Sequence, residues 1–373
     1  MSSNNGTRPA REHSHAVHSV VPVRPHPQSM TAAILYGPED LKIESVRVPS
    51  IGDSDILVKV EAALTCGTDL KVWKAGFHAR MIEPPALFGH ELAGVVAEKG
   101  KAVGDRIQIG MRVVPANSAP CGTCFFCQKG QANLCEDLLF NNGAYAQYVR
   151  IPGRIVEKNL LKIPDHVPFR DAAMAEPLAC VLRGAHEINL RAGDTAVVIG
   201  CGAIGLKFVR VLASRDIKVI ALARRESQRE VARRLGAAIL VNVTEIPDVP
   251  EYVRSLTEGG RGADGVIEAA GTVTTWEWAL QMVRKGGNVN MFSGCPRGSE
   301  VRLEPAELHY SEITIKSTFH HTPRFVREAL ELISRGDVRP SDFITDEIPL
   351  SDLPQLFVQM KNRSNELKTA VIP

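Results

Sequence analysis

The sequence predicts an α/β protein in two parts: a small, loop-rich β domain, then a parallel sheet wound with crossover helices. Three observations predict it. The 373-residue length is two domains plus an excess, at about 150 residues per domain. Residues 31–160 read as short β runs punctuated by Gly, Pro and Asp. From Thr195 strand and helix patterns alternate, and that alternation builds a parallel sheet with helical crossovers.

The first 29 residues stand apart. They hold His13, His15, His18 and His26, end in Pro22, Pro25 and Pro27, and lack apolar periodicity and a signal-type apolar core. They read as a disordered tail, with Met30 as an alternative start and metal binding by the histidines as a second reading. The β runs follow at Ala32–Leu35, Asp55–Ala63, Leu92–Glu98, Arg112–Pro115 and Tyr145–Ile151. Next come a strand at Thr195–Ile199, a helix at Ala203–Ser214, a strand at Lys218–Ala223 and a charged helix at Glu226–Leu235. Further strands fall at Ala238–Val241, Gly265–Ala269, Asn288–Phe292 and Ile313–Phe319. A last helix has Thr322 as N-cap, Pro323 in its first turn and Gly336 as its stop, with Phe325, Val326, Ala329, Leu330 and Ile333 as the buried face.

Composition removes several function classes. Hydrophobic residues are 44% and charged residues 23%, so disorder does not dominate. Forty-four basic against 42 acidic residues give a charge of +2, too little to steer the chain to nucleic acid or an anionic membrane. The longest uncharged apolar stretch, Thr195–Leu206, falls short of the about 20 residues that cross a bilayer. Eight scattered and clustered cysteines suit metal binding in a reducing compartment, which predicts a cytoplasmic protein.

Gly200-Cys-Gly202-Ala203-Ile204-Gly205 follows a strand and opens a helix. Gly200 permits the tight turn, Gly202 lets backbone approach a pyrophosphate, and Gly205 lets helix and strand pack closely; the helix N-terminus supplies free N–H groups to phosphate. At the end of the second strand an NAD site places an acid; here Ala223 runs into Arg224-Arg225. Two guanidinium forks suit a 2′-phosphate, which favours NADP(H) over NAD(H). The alternative is a pair of solvated arginines with Glu226 serving the ribose.

Cys121, Cys124, Cys127 and Cys135 lie within fifteen residues. Such short spacers bring thiolates to one tetrahedral ion and close its coordination, so the ion holds a loop together; the spacing alone leaves an iron–sulfur cluster open. Cys66-Gly-Thr68-Asp69, Gly89-His90-Glu91 and Ala175-Glu176-Pro177 are each weak signals. Together they offer a thiolate, an imidazole and a carboxylate, the mixed three-ligand set of a catalytic zinc with an open position.

With Gly143-Ala-Tyr-Ala-Gln-Tyr148 added, these motifs, in this order and spacing, resemble the zinc-dependent medium-chain dehydrogenase/reductase superfamily of alcohol, sorbitol and threonine dehydrogenases. The resemblance covers nearly the whole chain from about residue 31. It implies a GroES-like catalytic domain at 30–177 and 320–373, with a structural-zinc lobe at about 115–140, and a Rossmann domain at 178–319. It implies two zinc ions per chain. Cys66, His90 and Glu176 match the catalytic-zinc positions. Glu91 matches an acid that acts behind the metal or exchanges onto it, and Thr68 a proton-relay hydroxyl. Cys121, Cys124, Cys127 and Cys135 match the structural lobe. The nicotinamide is expected near Ala270 and the backbone of Met291, Phe292 and Ser293. Glu176-Pro177 is closer to the polyol branch than to alcohol dehydrogenases. Two departures stand out: Gly110-Met111-Arg112-Val113 lacks the usual acid, and His320-His321 replaces the Arg and aromatic residue of polyol enzymes. Those imidazoles either border the substrate pocket or cap the following helix.

The implied reaction is hydride transfer between a secondary alcohol, such as a polyol or cyclitol, and NAD(P). Lys71 is either an anion-binding or a surface residue. Rival readings are a carbonyl reductase on another substrate, a zinc-free enone reductase, which would lack both cysteine constellations, and a non-catalytic zinc and dinucleotide binder. The expected partner is a small molecule, with no nucleic acid and no membrane. The edge strand Ile313–Phe319 predicts a homodimer or homotetramer.

Overall fold

The computed structural model of the chain describes residues 26–78, 80–362 and 367–373. Of the expected tail, residues 1–25 lie outside the described residues. His26 pairs with Glu98 at 2.9 Å, and Ser29 already opens the first strand, Ser29–Gly37.

The β-rich part is built on a seven-stranded sheet. Its path runs Leu160–Lys162, Arg112–Pro115, Glu91–Lys99, Ile56–Leu64, Thr369–Ile372 and Asp346–Pro349, and Tyr148–Ile151 also pairs with Ile56–Leu64. Every pairing is antiparallel except the last on the path, between the two C-terminal strands. The chain's end thus returns to its beginning: Ala370 and Val371 pair with Leu64 and Ala63. A three-stranded sheet of Ser29–Gly37, Asp40–Arg47 and Ala86–Leu87 lies beside it.

The second part is a six-stranded, wholly parallel sheet in the order Ile239–Asn242, Lys218–Ala223, Thr195–Ile199, Ala263–Glu268, Val283–Met291, Thr314–Ser317. The first strand in sequence is central and the chain winds outward to both sides. This leaves a crevice at the carboxyl ends where the winding direction reverses, the place such sheets hold ligands. Covered on both faces, its central strands are near-continuous apolar runs: Ala196, Val197, Val198 and Ile199 are all buried.

The helix expected from Thr322 forms as Pro323–Arg335 and buries the five predicted residues. Gly336 ends it in the left-handed region at φ 75°. Thr322 holds the N-cap backbone position but makes no side-chain cap bond. This helix packs on Ala175–Glu187, which carries Glu176 and was not anticipated as a helix. Where an acid usually precedes Arg112, Met111 stands instead. Arg112 donates to the carbonyls of Pro164 (3.2 Å), Asp165 (2.5 Å) and Val167 (2.5 Å) and lies over the Phe169 ring. No helix among the described residues is long and apolar enough to cross a membrane.

Candidate active site

Cys66 is the N-cap of the helix Gly67–Ala75, so its position follows from local helix chemistry. Its Sγ accepts from the Thr68 N–H at 3.4 Å, and Asp69 accepts the Cys66 N–H at 3.1 Å, a reciprocal capping box. Asp69 has a second task. It is 2% exposed, and its Oδ1 lies 2.9 Å from His90 Nδ1 while Oδ2 accepts from Tyr145 Oη at 2.6 Å. That pairing fixes the His90 tautomer and leaves Nε2 as the outward nitrogen. Burial opposes charge on His90, yet Asp69 and Cys66 raise its pKa well above the ordinary value. Gly89 makes room for this arrangement: at φ 86°, any Cβ there would lie 2.6 Å from the Tyr145 ring.

Glu91, fully buried on the next residue, has its Oε2 2.5 Å from Lys368 Nζ, on the returning C-terminal segment. Its Oε1 is buried without a hydrogen-bond partner. An orphaned carboxylate oxygen in such a place calls for a cation or a donor. The donor atoms of Cys66, His90 and Glu91 lie within 4.8 Å of one another, and a thiolate–imidazole–carboxylate set suits zinc.

Glu176 is placed differently from the expected trio. Its carboxylate groups with the imidazoles of His320 and His321, because His321 Nε2 approaches Glu176 Oε1 to 3.4 Å. Burial pushes the Glu176 carboxyl up, but the His321 bond and the neighbouring imidazoles hold it down to about 2. His320-His321 therefore do not cap the following helix; their Nε2 atoms meet Ser118 Oγ (2.6 Å) and Asn117 Oδ1 (2.9 Å). Thr68 is half-buried beside Cys66, and Lys71 is exposed, as its surface reading expects.

The four cysteines of the lobe also form one group. Cys121 and Cys127 sulfurs are 3.9 Å apart, and those of Cys124 and Cys135 3.8 Å. A tetrahedron of thiolates at about 2.3 Å from one ion has edges of about 3.8 Å, so the set fits a single zinc. Backbone N–H groups of Thr123 and Cys124 lower the Cys121 thiol to about 6, whereas burial raises Cys127 to about 12.

At the crevice of the parallel sheet a cavity of about 420 Å³ is lined by Gly200, Gly202, Ala223, Arg224 and Ala270, together with Gln228, Thr272 and Thr275, which the motif reading missed. Gly205 is forced: its Cβ would lie 1.9 Å from the Gly200 carbonyl oxygen. At Gly202, the N-cap of Ala203–Ala213, a Cβ would meet no protein atom within 4 Å, so that face stays open for a phosphate. Ala203 and Ile204 form the first turn of that helix. Arg224 is exposed at the rim and Arg225 half-buried. Glu226, the alternative ribose partner, is ion-paired with Arg229, which also donates to the carbonyls of Ala223 and Arg224. Met291 and Phe292 turn their side chains into the core, Phe292 edge-on to Phe208, and the Ser293 carbonyl accepts from Trp276.

Comparisons with known proteins show the family. The model of the alcohol dehydrogenase GroES-like domain matches residues 52–165, and that of the zinc-binding dehydrogenase residues 203–335. A sorbitol dehydrogenase of Bacillus subtilis (strain 168) is 31% identical over 357 residues, covering 93% of this chain and 98% of the relative. An erythritol/L-threitol dehydrogenase of Mycolicibacterium smegmatis is 30% identical, with coverages of 93% and 98%. The solved structure of a zinc-binding dehydrogenase of Sinorhizobium meliloti 1021 bound to NADP superposes with a TM-score of 0.85 at 31% identity, covering 93% of this chain and 100% of the other.

The fold and the two donor groups define a zinc- and nicotinamide-dependent oxidoreductase acting on a small molecule. The chain belongs to the zinc-dependent medium-chain dehydrogenase/reductase superfamily.

Proposed function

We propose that this chain interconverts a secondary alcohol on a hydroxylated small molecule, a sugar alcohol or cyclitol, and its ketone, with NADP(H) preferred to NAD(H). The observation that carries the proposal is the buried, unpartnered Glu91 Oε1 beside the Cys66 and His90 donors. The relatives named for sorbitol and erythritol support the polyol class.

Two zinc ions per chain are assigned, one to Cys121, Cys124, Cys127 and Cys135 and one to Cys66, His90 and the carboxylates of Glu91 and Glu176. A zinc held there would supply Lewis acidity towards a substrate hydroxyl, and a nicotinamide bound in the crevice would supply the hydride acceptor. The chain's own residues do the rest. Asp69 keeps His90 in the ligating tautomer. Lys368 balances one oxygen of Glu91 and leaves the other to the metal. Thr68, beside Cys66, would take the proton that the substrate hydroxyl gives up. The Gly200–Gly205 turn holds the pyrophosphate, Arg224 and Arg225 the 2′-phosphate, and Ala270 with the backbone of Met291, Phe292 and Ser293 borders the nicotinamide.

We divide the chain into a catalytic domain, 30–177 with 320–373, and a cofactor domain, 178–319. The edge strand Thr314–Ser317, with all four residues exposed, supports pairing of two copies into a homodimer or homotetramer. Eight free thiols support a cytoplasmic location.

The test is a panel of sugar alcohols, cyclitols and ketones with NAD and NADP separately, read by absorbance of the reduced nicotinamide, beside metal analysis. Turnover of a polyol, faster with NADP, and about two zinc per chain are expected. Brisk turnover with NAD and weak turnover with NADP overturns the cofactor preference. A single zinc overturns the second metal site.

A further inference from the structure

His320 and His321 sit at a junction of three elements distant in sequence. His321 is 2% exposed. Its Nε2 faces Asn117 Oδ1 at 2.9 Å and Glu176 Oε1 at 3.4 Å. Both oxygens accept, so Nε2 carries the hydrogen. Asn117 and Ser118 lead into the four-cysteine lobe, and Ser118–Ala119 pairs with Leu139–Phe140 on its far side. The His320 ring lies 4.0 Å from that of His321 and 5.2 Å from that of Phe140, and its Nε2 meets Ser118 Oγ.

The backbone here is held against its preference. His320 has φ 66°, in the left-handed region that a non-glycine residue occupies only with outside support. Arg183, two turns beyond Glu176 on the same face of Ala175–Glu187, donates from Nη1 to the carbonyls of Phe319 (2.7 Å) and His320 (3.1 Å). Asn133, buried between Cys127 and Cys135, donates from Nδ2 to the Phe319 carbonyl at 3.3 Å, and with its amide turned over its oxygen would accept from the same guanidinium at 3.1 and 3.2 Å. The lobe therefore grips this turn at both ends, by Asn117 and Ser118 at its base and by Asn133 within it.

We propose that the base of the four-cysteine lobe positions the Glu176 carboxylate for the catalytic metal, Asn117 orienting His321 and His321 orienting Glu176. The proposal rests on the reading above that Glu176 belongs to the catalytic metal set. A carboxylate tethered by one oxygen has fewer rotamers to lose when it meets an ion, and partners behind a ligand commonly change metal affinity by about 10- to 100-fold. His321 and Asn117 are positioning residues; the ligands are Cys66, His90 and the two carboxylates.

The experiment uses the full-length chain with the catalytic metal exchanged for Co²⁺ and zinc left in the lobe. The visible bands of the cobalt enzyme and its affinity for the metal against a competing chelator are measured in His321→Ala, Asn117→Ala and His321→Gln. The alanine variants are expected to shift the bands and weaken binding about 10- to 100-fold. His321→Gln, whose amide N–H reaches to a similar place, is expected to recover most of both. NADPH binding, followed in parallel, should match the parent, and a cooperative thermal transition shows that each variant is folded at the temperature of measurement. His321→Ala with parental bands and affinity overturns the proposal. So does a loss in His321→Ala that glutamine does not rescue and Asn117→Ala does not share, since that marks the imidazole as a ligand. Cys66→Ser separates the underlying reading: if it holds as much metal as the parent, the catalytic set itself is wrong and the tether falls with it.

Discussion

His90 is placed by residues that no metal motif mentions. Asp69 serves at once as the return arm of a capping box and as the partner of the imidazole, and Tyr145 locks the same carboxylate from the other side. Tyr145→Phe takes away the one hydroxyl hydrogen, whose shorter contact is to Asp69 Oδ2, and leaves that oxygen with the Cys66 N–H alone among the bonds described. Buried acceptors stripped in this way cost about 1–3 kcal/mol, so urea unfolding should show that loss together with weaker metal retention. Lys207 is the opposite case. It is fully buried in the helix Ala203–Ala213, donates to the Ala203 carbonyl and lies over the Phe343 ring. Burial, with Lys368 adding repulsion, lowers its ammonium to about 7. Between about 7 and the ordinary value of 10.5, the unfolded chain binds a proton that the native chain does not, so this group makes stability rise with pH across that window. Its cost is full at and below neutrality. Lys207→Met should therefore stabilise the fold by a few kcal/mol at pH 7, and the gain should shrink towards nothing by about pH 10.5. Unfolding measured across that range checks it; a gain that does not change with pH contradicts it.

At the scale of elements, the glycine turn and the helix behind it are one device. The Gly205 Cβ clash is with a backbone carbonyl, which cannot swing aside as a side chain can. Gly205→Ala should cost roughly 3 kcal/mol of stability and abolish NADPH binding, read by quenching of cofactor fluorescence, since the helix N-terminus must move off the strand. The lobe is the other self-contained device. Its short helix Phe125–Gln128 buries no residue, and Phe125 and Leu134 are exposed, so the lobe lacks an apolar core and a metal is its only centre. Stripping that metal with a chelator should therefore open all four thiols to iodoacetamide, which peptide mapping reads.

For the whole molecule, closure of the chain matters more than any one part. Thr369–Ile372 pairs with Ile56–Leu64, and Lys368 one residue earlier reaches Glu91 and the Thr65 carbonyl. The C-terminus is thus part of the electrostatics of the site. Removing the last six residues, 368–373, takes away both the paired strand and the ammonium that the structure sets directly on Glu91. Such a truncation should lose turnover entirely, and zinc content should fall by about one ion per chain; retention of both ions contradicts this account.

Much of this was legible from local signals. Short-range chemistry determined the strand–turn–helix at Gly200–Gly205, the four-thiolate lobe, the last helix with its five buried residues and the parallel sheet, because periodicity, capping and ligand spacing act within one or two turns of chain. The helix Ala175–Glu187 escaped, since Pro177 and Gly184 punctuate it and its buried side includes the charged residues Glu176 and Arg183, which a local pattern reads as exposed. Only the tertiary structure decided that Glu91 stands with Cys66 and His90 while Glu176 turns to His321, that Lys207 is buried, and that Asn117, Asn133 and Arg183 converge on His320. Those are contacts between segments tens to hundreds of residues apart, and whether a polar side chain meets a partner or water there depends on how the sheets and helices pack, which no local pattern records.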